Sequence, residues 1–139
     1  MTCSPSNKAL LFWRILFLLY LVAVVFVCFS KPDSLPKVPE WEFLIPFDKA
    51  VHFCLFLPFP VVAFFSLKID RKPTRKAALA ISAFLLVGLI FAGCTELLQG
   101  ITEYRSRDVM DFVADSVGLT ASSLLLALYL LFSGKSRTR

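Results

Sequence analysis

From Ile15 to Phe29 the chain runs without one charged side chain, and three further apolar blocks follow at about 48–67, 77–99 and 111–132. A helix needs about 20 apolar residues to cross the hydrocarbon of a bilayer. Every backbone polar group in that hydrocarbon must be satisfied within the chain, which a helix achieves. The pattern predicts an all-α integral membrane protein: a four-helix bundle with spans at about 9–30, 48–67, 77–99 and 111–132, forming one domain over 1–139. Composition agrees, since 58% of the residues are hydrophobic against roughly 45–50% in soluble domains, so no soluble domain is expected.

Lys8 and Arg14 precede the first block, as in a signal peptide, but the block is long for one and no small-residue cleavage site follows. A retained first span is expected. Residues 31–47 carry Pro32, Pro36, Pro39 and Pro46, too dense for a regular helix. With Trp41, Phe43 and Phe47 they read as a loop lying on the membrane surface. Pro58 and Pro60 predict a kink midway along the second span. Cys28, Cys54 and Cys94 lie in apolar blocks and read as small hydrophobes, and with Cys3 they form no CxxC or Cys/His spacing. Neither a structural zinc, a redox motif nor a disulfide framework is expected.

The net charge of +5 does not point to nucleic acid, because the basic residues cluster beside apolar blocks, where they set topology and meet anionic lipid. With four spans, one side holds Lys8, Arg14, Lys68, Arg71, Lys72, Arg75, Lys76, Lys135, Arg137 and Arg139. The other side holds Lys31, Lys37, Lys49, Arg105 and Arg107. Ten against five predicts both termini in the cytoplasm of a cell whose inner (cytoplasmic) membrane the chain crosses, with 31–47 and 100–110 outside.

This orientation gathers the costly polar groups. Asp48, Lys49 and His52 open the second span, Glu96 and Gln99 close the third, and Arg105, Asp108, Asp111 and Asp115 lead into the fourth. All fall at the outer level. Ionisable groups in a span are expensive and mark function by default, and residues three or four apart share a helix face. Carboxylates this crowded cannot all ionise freely unless a cation sits among them. Three chemistries follow. A carboxyl beside His52 suits general acid–base work. Glu96, Asp108 and Asp111 are candidates for a divalent cation of the magnesium, calcium or manganese kind. The site could instead bind a cationic or polyhydroxyl ligand without chemistry. Simpler roles compete residue by residue: Asp108 or Asp111 as an N-cap, Glu96 with Gln99 as interhelical hydrogen bonds, and Gly88/Ala92 with Gly118/Ser122 as packing.

Asp48-Lys49-Ala50-Val51-His52-Phe53-Cys54-Leu55-Phe56 resembles the DKxxHFxxF motif of the VanZ-like family of small bacterial membrane proteins. Glu96-Leu97-Leu98-Gln99, then Arg105, Asp108, Asp111, Ala114-Asp115 and Gly118, are similar to that family's ExxQ, R, D, D, A-N, G series. The resemblance covers about 45–125, with Asp115 where the family usually has Asn and Ser122 where it often has Gly. It implies a cell-envelope role, the family being named for a member that raises resistance to the glycopeptide teicoplanin, and it implies no particular reaction. The expected ligand is an envelope lipid or glycan-linked molecule, or the antibiotic. Arg105 would bind an anionic headgroup or pair with Asp108. A membrane enzyme acting on a lipid-linked substrate and a subunit of an envelope assembly are the rival readings.

Overall fold

The computed structural model describes residues 6–30, 46–69, 73–102 and 108–136. Every regular element among them is an α-helix: α1 (Asn7–Phe29), α2 (Phe47–Phe56), α3 (Phe59–Ser66), α4 (Arg75–Gln99) and α5 (Val109–Ser136). Helices α2 and α3 are the halves of one span, so four helical segments are long and apolar enough to cross a membrane. The chain is by length and composition a multi-pass membrane protein.

Local chemistry sets the boundaries. Ser6 caps α1 by accepting from the Ala9 amide at 3.2 Å, and Thr74 caps α4 by accepting from Ala77 at 3.2 Å. Both satisfy an amide that the first helical turn leaves without a partner. The expected kink falls at Leu57–Pro58, between α2 and α3. Proline offers no amide to the preceding turn, so α2 stops and α3 restarts with Pro60 in its first turn. The first three spans lie within two residues of their predicted bounds at either end, whereas α5 continues to Ser136, past its predicted end at 132. The loop at 31–45, with Trp41 and Phe43, and the central residues of both other connections lie outside the described residues.

Two apolar clusters occupy the interior. One joins Val24 and Cys28 of α1, Phe56, Phe59, Ala92 and Leu119. The other joins Phe64, Ala77, Ile81, Leu126 and Leu130 toward the end that holds the start of α1. Helix α1 is peripheral, burying only Leu10, Val24 and Cys28. Its remaining apolar surface, including Leu19 and Phe26 at 63% and 70% exposure, is suited to lipid.

Between lipid-bathed helices the association comes from close packing and interhelical hydrogen bonds. Gly118 shows the first: a Cβ there would lie 2.6 Å from the Phe53 carbonyl oxygen, so α5 meets the backbone of α2. Gly88 does the same against the Leu119 and Phe59 side chains. Hydrogen bonds tie α1 to its neighbours. The Tyr20 hydroxyl donates to the Leu55 carbonyl at 2.6 Å, and Arg14 Nε donates to the Ser66 carbonyl at 3.3 Å, at the end of α3. The chain direction puts the start of α2, the end of α4 and the start of α5 at one end of the bundle.

Candidate functional site

That end holds the polar residues. Asp48, Lys49 and His52 occupy the first turns of α2, Glu96 the last turn of α4, and Asp111 and Asp115 the first turns of α5. Asp108 immediately precedes α5, and its Oδ1 accepts from the Met110 amide at 2.8 Å, the N-cap role expected of an aspartate there. The described groups form an outer and an inner layer.

Lys49 organises the outer layer. Its Nζ donates to Asp108 and Asp111, and reaches Asp48 Oδ2 at 3.3 Å. Asp48 and Asp108 are wet, with side chains 57% and 42% exposed, whereas the Asp111 side chain is 8% exposed. The Lys49 ammonium, helped by the Met110 amide, holds the Asp108 carboxyl below the usual carboxylate range. Lys49 is the only Lys or Arg at this end among the described residues.

His52 organises the inner layer. Its Nδ1 lies 3.1 Å from Asp115 Oδ1 and 4.0 Å from Glu96 Oε1, and its Nε2 lies 3.6 Å from Asp111 Oδ2. His52, Glu96, Asp111 and Asp115 are all buried, Asp115 completely. Both Glu96 oxygens and Asp115 Oδ2 lack a hydrogen-bond partner among the described residues, although the Asp108 amide lies toward Glu96. Beside Glu96 a cavity of about 230 Å³ opens between α4 and α5, lined by Gly93, Glu96, Leu97, Asp108, Val109 and Phe112. Leu97 and Val109 are 53% and 65% exposed, so the cavity's mouth is apolar and faces outward from the bundle.

Two sequence expectations need correction. Gln99 is buried, but its Nε2 donates to the Cys28 carbonyl at 2.7 Å. It ties α4 to the end of α1 and does not join the carboxylates. Glu96, Asp108 and Asp111 do not form one ligand set, because Lys49 neutralises Asp108 and Asp111 while Glu96 lies with His52. The groups whose ligand atoms do converge are Asp48/His52/Asp111 and His52/Glu96/Asp115. Arg105 lies outside the described residues; the described cationic partner of Asp108 is Lys49. The cavity walls Gly93, Leu97, Val109 and Phe112 carried no sequence signal, since apolar residues facing a cavity and facing lipid look alike. Comparison with protein-family models, curated proteins and solved structures gives no match for this chain.

Proposed function

We propose that the polar end is an outward-facing binding site for an amphiphilic cell-envelope component, a lipid or glycan-linked molecule, in a single-domain VanZ-like protein of the cytoplasmic membrane with both termini inside. The observation that carries this reading is convergence. Asp48, Lys49, His52, Glu96, Asp108, Asp111 and Asp115 come from α2, α4 and the start of α5 to one end of the bundle. Structural polar residues scattered along the spans would have no reason to gather there. The cavity beside Glu96 supplies both parts that an amphiphile requires: carboxylates for a head rich in hydrogen-bond donors, and the apolar walls of Leu97 and Phe112 for a chain approaching from the bilayer. The motif order along 45–125 supports an envelope role and links the site to glycopeptide (teicoplanin) resistance.

The test is retention of ligand. Protein purified in mild detergent is expected to carry an envelope amphiphile visible by native mass spectrometry, reduced at least tenfold in Glu96→Ala and Asp111→Ala. Equal retention in both variants, with envelope phenotypes intact, sinks the reading. One observation favours a second reading, a membrane enzyme on a lipid-linked substrate. His52 has a carboxylate at each ring nitrogen, the setting in which an imidazole is oriented for proton transfer. Turnover of a lipid-linked substrate that disappears in His52→Gln would establish it.

A further inference from the structure

We infer that the inner layer is a divalent transition-metal site formed by His52 Nδ1, Glu96 and Asp115. The inference rests on the polar end being a binding site, though not on which face of the membrane it occupies. Three observations lead to it.

The first is unmet bonding capacity. Glu96 is 5% exposed and Asp115 fully buried; Asp115 Oδ2 and both Glu96 oxygens lack a well-formed hydrogen bond among the described residues, the Asp108 amide only lying toward Glu96. Buried acceptors in folded proteins are nearly always satisfied. A cation between them would give each carboxylate a partner, and no described Lys or Arg reaches this layer.

The second is geometry. One ligand atom from each of His52, Glu96 and Asp115 lies within 4.8 Å of the other two, with Nδ1 3.1 Å from Asp115 and 4.0 Å from Glu96. Metal–ligand bonds of roughly 2.0–2.2 Å put donors on opposite sides of an ion about 4.2 Å apart. The three donors thus lie close to the spacing of ligands that share one ion. Glu96 also lines the α4/α5 cavity, which leaves room for further ligands such as water or a substrate oxygen.

The third is the outer support. His52 Nε2 faces Asp111 Oδ2 at 3.6 Å, and Asp111 is held in turn by Lys49. A metal-bound histidine characteristically directs its other ring nitrogen at a carboxylate, which fixes the ring and raises its basicity. The outer group Asp48/His52/Asp111 is the poorer candidate because Lys49 already contacts both of its carboxylates.

An imidazole with two carboxylates suits zinc, manganese, iron(II) or cobalt. Magnesium and calcium prefer oxygen alone. The test is metal content. Detergent-purified wild type, dialysed and then supplied with Zn²⁺ or Mn²⁺, is expected to hold about one equivalent by elemental mass spectrometry. Occupancy is expected to fall at least tenfold in Glu96→Gln and Asp115→Asn and to stay unchanged in Lys68→Gln, at the opposite end of the bundle. Asp111→Asn is expected to weaken affinity about 10–100-fold, as loss of an outer-shell partner does. Should the Gln or Asn variants fail to fold, X-ray absorption of loaded wild type decides: one imidazole nitrogen with oxygen neighbours supports the site, and any sulfur neighbour overturns it. Wild type that binds neither Zn²⁺ nor Mn²⁺ overturns it, as does loss of metal in Asp48→Asn but not in Glu96→Gln. A metal-free result leaves the amphiphile reading standing, because retained lipid is measured separately. Equal lipid retention in Glu96→Ala and Asp111→Ala would sink that reading whether or not metal is bound.

Discussion

Lys49 faces three carboxylates, and removing it reveals what the outer layer is worth. Exposed ion pairs contribute up to about 1 kcal/mol, while breaking a buried pair costs about 3–5 kcal/mol. The Lys49 side chain is 16% exposed and its partners range from 8% to 57%, so Lys49→Met is expected to cost about 2 kcal/mol at neutral pH, read as a lower unfolding midpoint in detergent. The pH dependence has a definite sign. Pairing with Lys49 holds the Asp108 carboxyl below its ordinary range. Its contribution is therefore complete above the ordinary carboxylate value and is lost as the pH falls through the lowered one. The part of the gap between wild type and Lys49→Met that Asp108 carries should thus close in strongly acidic solution. A gap that did not narrow at all there would mean that the Asp108 pair contributes nothing to stability.

At the scale of elements, the contact of α2 with α5 sets the site, because His52 and Lys49 ride on one helix and Asp111 and Asp115 on the other. Gly118 permits that approach. The group an added methyl would meet is the Phe53 backbone, the residue after His52, and backbone cannot swing aside. Gly118→Ala is expected to cost about 1–3 kcal/mol, the usual range for overpacking, and to loosen the pairing of Lys49 and His52 with α5. Gly88→Ala meets mainly the tip of Leu119 and should cost less. Thermal unfolding of the two variants side by side checks the order, and an equal or reversed order would show that α2 and α5 have slack at Phe53. Several elements were legible because they have a local cause: apolar runs, Asp108 as a cap, Pro58 as the break; the Thr74 cap of α4 was not read from the sequence. Gln99 makes the interhelical hydrogen bond offered as its simpler role and does not join the carboxylates, for a geometric reason. Three residues at 3.6 per turn leave an offset of about 60°, enough to aim Gln99 at α1 while Glu96 faces His52. The tethers Tyr20–Leu55 and Arg14–Ser66 join distant positions by hydrogen bonds that no local pattern announces.

For the whole molecule, the convergence of charged groups at one end was legible because a charge in an apolar run is expensive wherever it sits, so Asp48, His52, Glu96, Asp111 and Asp115 stood out singly. Their division into two layers was not, since it depends on where Lys49 reaches. The side of the membrane proposed for this end rests on charge counting, and chemical labelling tests it directly. Ile101 follows α4 at the polar end and is 79% exposed; Lys68 follows α3 at the opposite end and is also exposed. With Cys3, Cys28, Cys54 and Cys94 replaced, Ile101→Cys should react with a membrane-impermeant maleimide on intact cells, and Lys68→Cys only after lysis. Ten basic residues against five favour that arrangement through the cost of moving Lys and Arg across the membrane. The reverse labelling pattern would put His52 and Glu96 on the cytoplasmic face and end the envelope-ligand reading. It would leave the proposed metal site intact, because His52, Glu96 and Asp115 converge whichever way the bundle is inserted.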